Sequence, residues 1–236
     1  MLAGHYTTAL IAHQKFPKGT LLYFLFASQL QDLLWFTLHY LGLEPTGPSD
    51  VLDTTLNNLA VDMLYSHDLL PQVFWVIVIF LIGKVLFKNN KIGLTGAALV
   101  VGHFILDLFS GHPHHIFGEE TQDIAFGLYA SNTFLAIAIE AVFIVMMLWY
   151  FFKKEAENGI TRTFKNKVSL ICLFVFGILF MLSIATTSYR QWFGIPEFDF
   201  GFNSNVPTMI VTYITMIVYL NYFVPKFKVD KSFKNL

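Results

Sequence analysis

The sequence predicts an all-α, polytopic transmembrane bundle, and three observations carry that prediction. Of 236 residues, 55% are hydrophobic and only 13% are charged, with 26 phenylalanines. Soluble domains carry about 25% charged residues, so a soluble globular domain, a disordered chain and a coiled coil are excluded. The apolar residues lie in continuous runs that approach the ~20 residues of a spanning helix, not in the alternating pattern of a membrane β-strand. The basic and acidic residues, finally, segregate into alternate loops.

In chain order the apolar runs fall at about 2–13, 20–42, 69–88, 92–109, 125–152, 167–186 and 206–224. About seven helices are expected, with six plus a short N-terminal helix as the alternative because the first run is short. No repeat, low-complexity tract or linker interrupts the chain, so 1–236 reads as one transmembrane domain. Residues 1–150 carry the candidate site, and 160–236 supply two further helices and a basic tail. The N-terminus lacks the basic region of a signal peptide and is expected to be retained.

Orientation follows from the loops. Lys15, Lys18, Lys84, Lys88, Lys91, Lys153, Lys154, Arg162, Lys165, Lys167, Lys226, Lys228, Lys231 and Lys234 fall on one side of a seven-span arrangement; of the 15 basic residues only Arg190 falls on the other. The positive-inside rule puts that side, with the C-terminus, in the cytoplasm and the N-terminus outside. The opposite loops carry Glu44, Asp50, Asp53, Asp62, Asp68, Glu119, Glu120 and Asp123.

An ionisable side chain within a membrane helix costs ~2.5 kcal/mol or more, so each one asks for a reason. His5, Asp32, His39, His103, Asp107 and Glu140 lie inside runs, His67 just before the third, and His112, His114 and His115 just after the fourth. At ~1.5 Å per residue these converge on the external half of the bundle, Glu140 on condition that its helix starts near Ser131–Asn132. The cytoplasmic halves, such as Leu21–Ala27 and Gly93–Val101, hold none. A conduit needs polar stations through both halves; a one-sided distribution favours a site that opens outward. His103 and Asp107 are spaced i, i+4 and share one helical face. The single Cys172 allows neither a disulfide nor a thiolate metal site. Nitrogen and oxygen donors point to zinc, manganese or iron, with zinc the first choice. A net charge of −1 without basic clusters gives no sign of nucleic acid.

Several segments also occur in a telling order: Gly4-His5-Tyr6, Ala27-Ser28-Gln29-Leu30-Gln31-Asp32-Leu33-Leu34-Trp35, Leu41-Gly42-Leu43-Glu44, Tyr65-Ser66-His67, Gly102-His103-Phe104-Ile105-Leu106-Asp107 and Gly127-Leu128-Tyr129. In these the chain resembles a bacterial family of membrane-bound metal-dependent hydrolases distantly related to zinc-dependent phospholipase C and P1 nuclease. The resemblance covers roughly residues 4–150. It implies His5, Asp32, His67, His103 and Asp107 as metal ligands, with Glu140 a ligand or a carboxylate beside them. Two departures stand out. Gly111-His112-Pro113-His114-His115 replaces the family's His-x-x-Asp-like segment, with the register favouring His114 over His112 and His115, and Tyr129 stands for the usual Trp.

The function expected from this is hydrolysis, with one to three divalent ions, most simply zinc, in a multi-pass protein of the bacterial cytoplasmic membrane. The substrate would be a phosphoester of a lipid or other amphiphile met on the outer side, with Asp32 and Glu140 as the catalytic carboxylates. Two readings of other classes stand beside it: a metal transporter or metal-binding membrane protein, and a non-catalytic scaffold or sensor. G-x-S-x-G, P-loop and H-E-x-x-H motifs are absent from the chain, which leaves a serine hydrolase, a nucleotide-driven pump and the usual zinc protease unsupported.

Overall fold

The computed structural model describes residues 2–198 and 201–229; Lys231 and Lys234 of the expected basic tail lie outside them. The chain folds as a bundle of α-helices with two minimal antiparallel ladders. In order these are α1 (Gly4–Lys15), α2 (Leu21–Ser28), α3 (Leu30–Tyr40), β1 (Thr46–Gly47), β2 (Ala60–Val61), α4 (Leu69–Phe87), α5 (Asn90–Ser110), α6 (Leu128–Ser131), α7 (Thr133–Glu157), β3 (Ile160–Thr161), α8 (Phe164–Ser183), α9 (Tyr189–Phe193), α10 (Asn205–Phe223) and β4 (Lys228–Val229). β1 pairs with β2 in the loop between α3 and α4, and β3 with β4 beside the ends of α7 and α10.

Among the described residues five helices, α4, α5, α7, α8 and α10, are long and apolar enough to cross a membrane, and α2 with α3 makes a sixth candidate bent by 63°. The protein is therefore multi-pass. Five or six candidate spans with a short α1 fit the alternative of six plus a short N-terminal helix better than seven, because α1 has 12 residues, about 18 Å at helical rise, against ~30 Å of hydrocarbon. α1 is instead a central element. Ala3 before it and Tyr6, Ala9 and Leu10 within it are fully buried, and its polar His5, Thr7 and His13 are buried with them. The outer faces are the reverse of a soluble protein's: Val73, Phe74, Ile77 and Val85 of α4 are exposed, a surface that lipid solvates.

α4 and α5 form a close hairpin. A Cβ on Gly93 would lie 2.6 Å from the Phe80 carbonyl oxygen, so only glycine permits that approach. The Tyr23 hydroxyl inserts beside the same hairpin and donates to the Ile79 carbonyl at 2.8 Å. At the end of the bundle where α7, α8 and α10 meet, Arg162 is buried and donates to both oxygens of Glu155, to Asn166 and to the Val224 carbonyl. It thereby satisfies a carbonyl left open where α10 ends and ties α7, α8 and α10 together.

The run 125–152 divides. α6 is one turn, and Asn132 then caps α7 by accepting from the Leu135 N–H at 3.3 Å. α7 thus begins at Thr133, next to the expected start at Ser131–Asn132.

Candidate metal centre

The run 20–42 breaks at Gln29, and the break builds the site. In an unbroken helix the Ser28 carbonyl would accept from the N–H four residues on. Here it accepts instead from Nδ1 of His103 at 2.8 Å. A side chain inserted into the backbone ladder is a recognised cause of a helix bend. A carbonyl only accepts, so Nδ1 carries a proton, and Nε2, which has a lone pair to offer whenever the ring is neutral, faces the interior.

Four other side chains meet that lone pair. Asp107, one turn on along α5, places Oδ2 3.0 Å from His103 Nε2 and Oδ1 3.1 Å from His5 Nε2. His5 comes from the first turn of α1, and its ring stacks on that of His103 at 3.6 Å with 10° between planes. Asp32, in the first turn of α3, has Oδ1 3.4 Å from His67 Nε2 and Oδ2 3.9 Å from His103 Nε2. His67, just before α4, has Nε2 3.9 Å from Asp107 Oδ2, and its Nδ1 engages the Ser66 hydroxyl at 2.7 Å. All five are buried. His5, His103 and Asp107 form one group of potential ligands, and Asp32, His67 and His103 a second, each with its ligand atoms within 4.8 Å of one another.

The unpartnered atoms test whether a metal fits. Asp32 Oδ2, His103 Nε2 and His5 Nδ1 are buried with no hydrogen-bond partner. Burying such atoms unpartnered is costly. A neutral imidazole facing a carboxylate at 3.0 Å would set two acceptors against each other, and either a proton on Nε2 or a metal cation held by both groups removes that penalty. The donors are imidazole and carboxylate, which suit a borderline divalent ion. Asp32, His67, His103, His5 and Asp107 could hold such an ion.

The remaining candidates divide. His114 is buried over the site, its ring stacked on His67 at 5.4 Å with neither nitrogen hydrogen-bonded. His112 sets its ring edge against Tyr129. Burial pushes the His114 imidazole down to about 3 and the His112 imidazole down to about 4, so both are neutral near pH 7, the form that ligates metal. His115 faces away. Its backbone N–H donates to Asp68 at 2.9 Å and its Nδ1 lies 3.9 Å from the same oxygen. Arg190 also lies apart, engaging Asp50, Asp53 and the Pro196 carbonyl in the interhelical loops.

Glu140 does not join the ligand groups. Its Oε1 accepts from the N–H groups of Ala3 at 2.8 Å and Gly4 at 2.9 Å, and its Oε2 accepts from the Leu2 N–H and the Tyr129 hydroxyl. It caps α1, whose first amides have no partner within the helix, and so fixes the turn that carries His5.

Sequence reasoning passed over the residues that hold the ligands. Glu44 accepts from the N–H groups of Tyr65 and Ser66 and so shapes the turn before His67. Asp68 accepts from His115 and Gly118 and pins the histidine-bearing loop. Gln31 donates to Gln72 and to the Val100 carbonyl, joining α3, α4 and α5. The available signal was amide and carboxyl side chains in or beside apolar runs, each of which needs a partner in that setting.

Beside the centre lies a cavity of about 120 Å³. Its floor is Asp32, His67, Asp107, His112 and His114, and its walls include Leu56, Met63, Phe180, Met181 and Met209. No family model, curated protein or solved structure matches the chain.

Proposed function

We propose that the protein is a membrane-embedded, metal-dependent hydrolase whose site opens to the outer side and which cleaves a phosphoester of an amphiphilic substrate. The observation that carries the reading is the convergence of Asp32, His67 and His103, with Asp32 Oδ2 and His103 Nε2 buried and lacking hydrogen-bond partners. The likeness to the hydrolase family in residues 4–150 supplies the reaction class. A zinc ion bound there would bring the pKa of its water towards ~7 and neutralise phosphate charge.

The chain's own residues do the rest. His103 is fixed in one tautomer by the Ser28 carbonyl, and Ser66 orients His67. Asp32 Oδ2, at the cavity floor, is the atom to take a proton from the attacking water. Glu140 positions His5 through the amides of α1, and its oxygens are already engaged by four donors. The apolar cavity walls exclude water and suit an aliphatic substituent. The basic loops set the orientation, with the C-terminus cytoplasmic and the start of α1 directed to the outer half of a bacterial cytoplasmic membrane. A transport role is disfavoured by Tyr6, Leu10, Phe24 and Leu25, which are fully buried on the cytoplasmic side of the centre.

The test is metal content per chain of detergent-purified protein by mass spectrometry, beside a His103→Ala/Asp107→Ala variant. Stoichiometric zinc that the variant lacks, with phosphoester hydrolysis that falls with it, is expected. No metal after zinc loading would overturn the reading in favour of a scaffold or sensor.

A further inference from the structure

A second concavity runs between α8 and α10, about 320 Å³ in volume, lined by Cys172, Phe176, Val211, Thr212, Thr215 and Tyr219 among others. Thr212 lines both this groove and the cavity beside the His/Asp centre, so the two adjoin at this one side chain. Among the described residues no Asp, Glu, Lys or Arg lines the groove, and Asp32 and Asp107 at the floor are the only ones lining the cavity. Cys172, Phe176 and Val211 are exposed on the lipid-facing surface, so the groove opens sideways to the bilayer. Its far end is bridged by the Tyr219 hydroxyl, which donates to the Ser169 carbonyl at 3.0 Å. From Met209 at the cavity to Tyr219 at that bridge is about 15 Å at helical rise. That is half of a ~30 Å hydrocarbon core, the depth of one leaflet.

We propose that this groove holds the alkyl tail of an outer-leaflet amphiphile that enters between α8 and α10 and presents its anionic head to the His/Asp centre. The inference rests on the hydrolase reading for the head and on the groove alone for the tail. The direction is consistent, because an outer-leaflet lipid carries its head outward and its tail towards the midplane, as the cavity and groove are arranged. The lipid-facing side of α4 is as apolar, but its exposed Val73, Phe74 and Ile77 line neither the cavity nor the groove.

The test uses the full chain in lipid nanodiscs and a long-chain alkyl phosphate bearing a diazirine on its tail, with an alkyl trimethylammonium of equal length as control. Photolysis and peptide mapping are expected to concentrate adducts on Phe176, Val211 and Thr215 for the phosphate but not for the ammonium. Thr212→Trp, which plugs the passage, should cut these adducts several-fold with metal content unchanged. Adducts spread equally over Val73, Phe74 and Ile77, or indifferent to the head, overturn the groove as a substrate site. Chain-to-chain cross-links there in place of lipid adducts assign it to a second copy and overturn it likewise. Metal measured on the same sample judges the other half: a metal-free wild type overturns the hydrolase reading whatever the adduct map, whereas an even map with metal present overturns the groove alone.

Discussion

The carboxylate of Asp107 stands between two imidazoles, with Oδ1 3.1 Å from His5 Nε2 and Oδ2 3.0 Å from His103 Nε2. The two rings are themselves stacked at 3.6 Å. One residue of α5 therefore fixes the distance between α1 and its own helix at the centre. Five ionisable side chains from four segments share this space, an arrangement that apolar packing alone has no reason to build.

Asp107→Asn preserves shape and volume while replacing one oxygen donor with an amide nitrogen that does not ligate. Zinc affinity is expected to fall by more than the ~10–100-fold typical of losing a partner outside the ligand set. The thermal midpoint of the metal-free protein should move little. Equal metal content in variant and parent would remove Asp107 from the ligand set.

Acid should weaken the metal-free fold through His114. Its imidazole is held down to about 3 by burial, against an ordinary value of 6.5. Between those values the unfolded chain binds a proton that the folded chain does not, so stability is full above 6.5 and is lost as pH falls towards 3. The thermal midpoint of metal-free protein in detergent should decline from about pH 7 to about pH 5, and His114→Gln should flatten that decline. An unchanged slope in the variant would assign the acid sensitivity elsewhere.

The legible parts of this molecule were those written locally. Continuous apolar runs announce spanning helices, and the i, i+4 spacing of His103 and Asp107 announces a shared face. The bend at Gln29 carries neither proline nor glycine; it answers the demand of His103, 75 residues away, for the Ser28 carbonyl. Glu140 read as a ligand or a carboxylate beside the ligands; that it caps a helix was not legible, because its partners are backbone amides more than 130 residues distant and no side-chain pattern announces a backbone donor. The first run resembled a short span because a helix buried on all sides and a helix facing lipid have the same composition. His115 and His114 are adjacent in sequence, and only the turn pinned by Asp68 separates a ring over the centre from one facing the loop.

Glu140→Ala strips the acceptors from the N–H groups of Leu2, Ala3 and Gly4. Each buried donor left unmet costs ~1–3 kcal/mol, so a loss on the order of 3 kcal/mol is expected, read as a lower thermal midpoint. Glu140→Gln keeps one acceptor oxygen and should recover part of it. Zinc content per folded chain should survive in Glu140→Gln. Complete loss of zinc without loss of stability would make Glu140 a ligand after all.

Arg162 offers a control remote from the centre. Its guanidinium donates to both oxygens of Glu155 at 2.6 and 2.7 Å, to Asn166 Oδ1 at 2.8 Å and to the Val224 carbonyl at 2.7 Å. Removing one member of a buried ion pair leaves the other charged and unmet, which costs ~3–5 kcal/mol. Arg162→Ala should lower the thermal midpoint accordingly while leaving zinc content per folded chain unchanged. Arg162→Lys should rescue little, because an ammonium cannot span a carboxylate fork, an amide and a helix-end carbonyl together. Full rescue by lysine would reduce the role of Arg162 to charge alone, and the closure of α7, α8 and α10 at that end would then rest on the apolar packing of Phe151, Phe174 and Leu220.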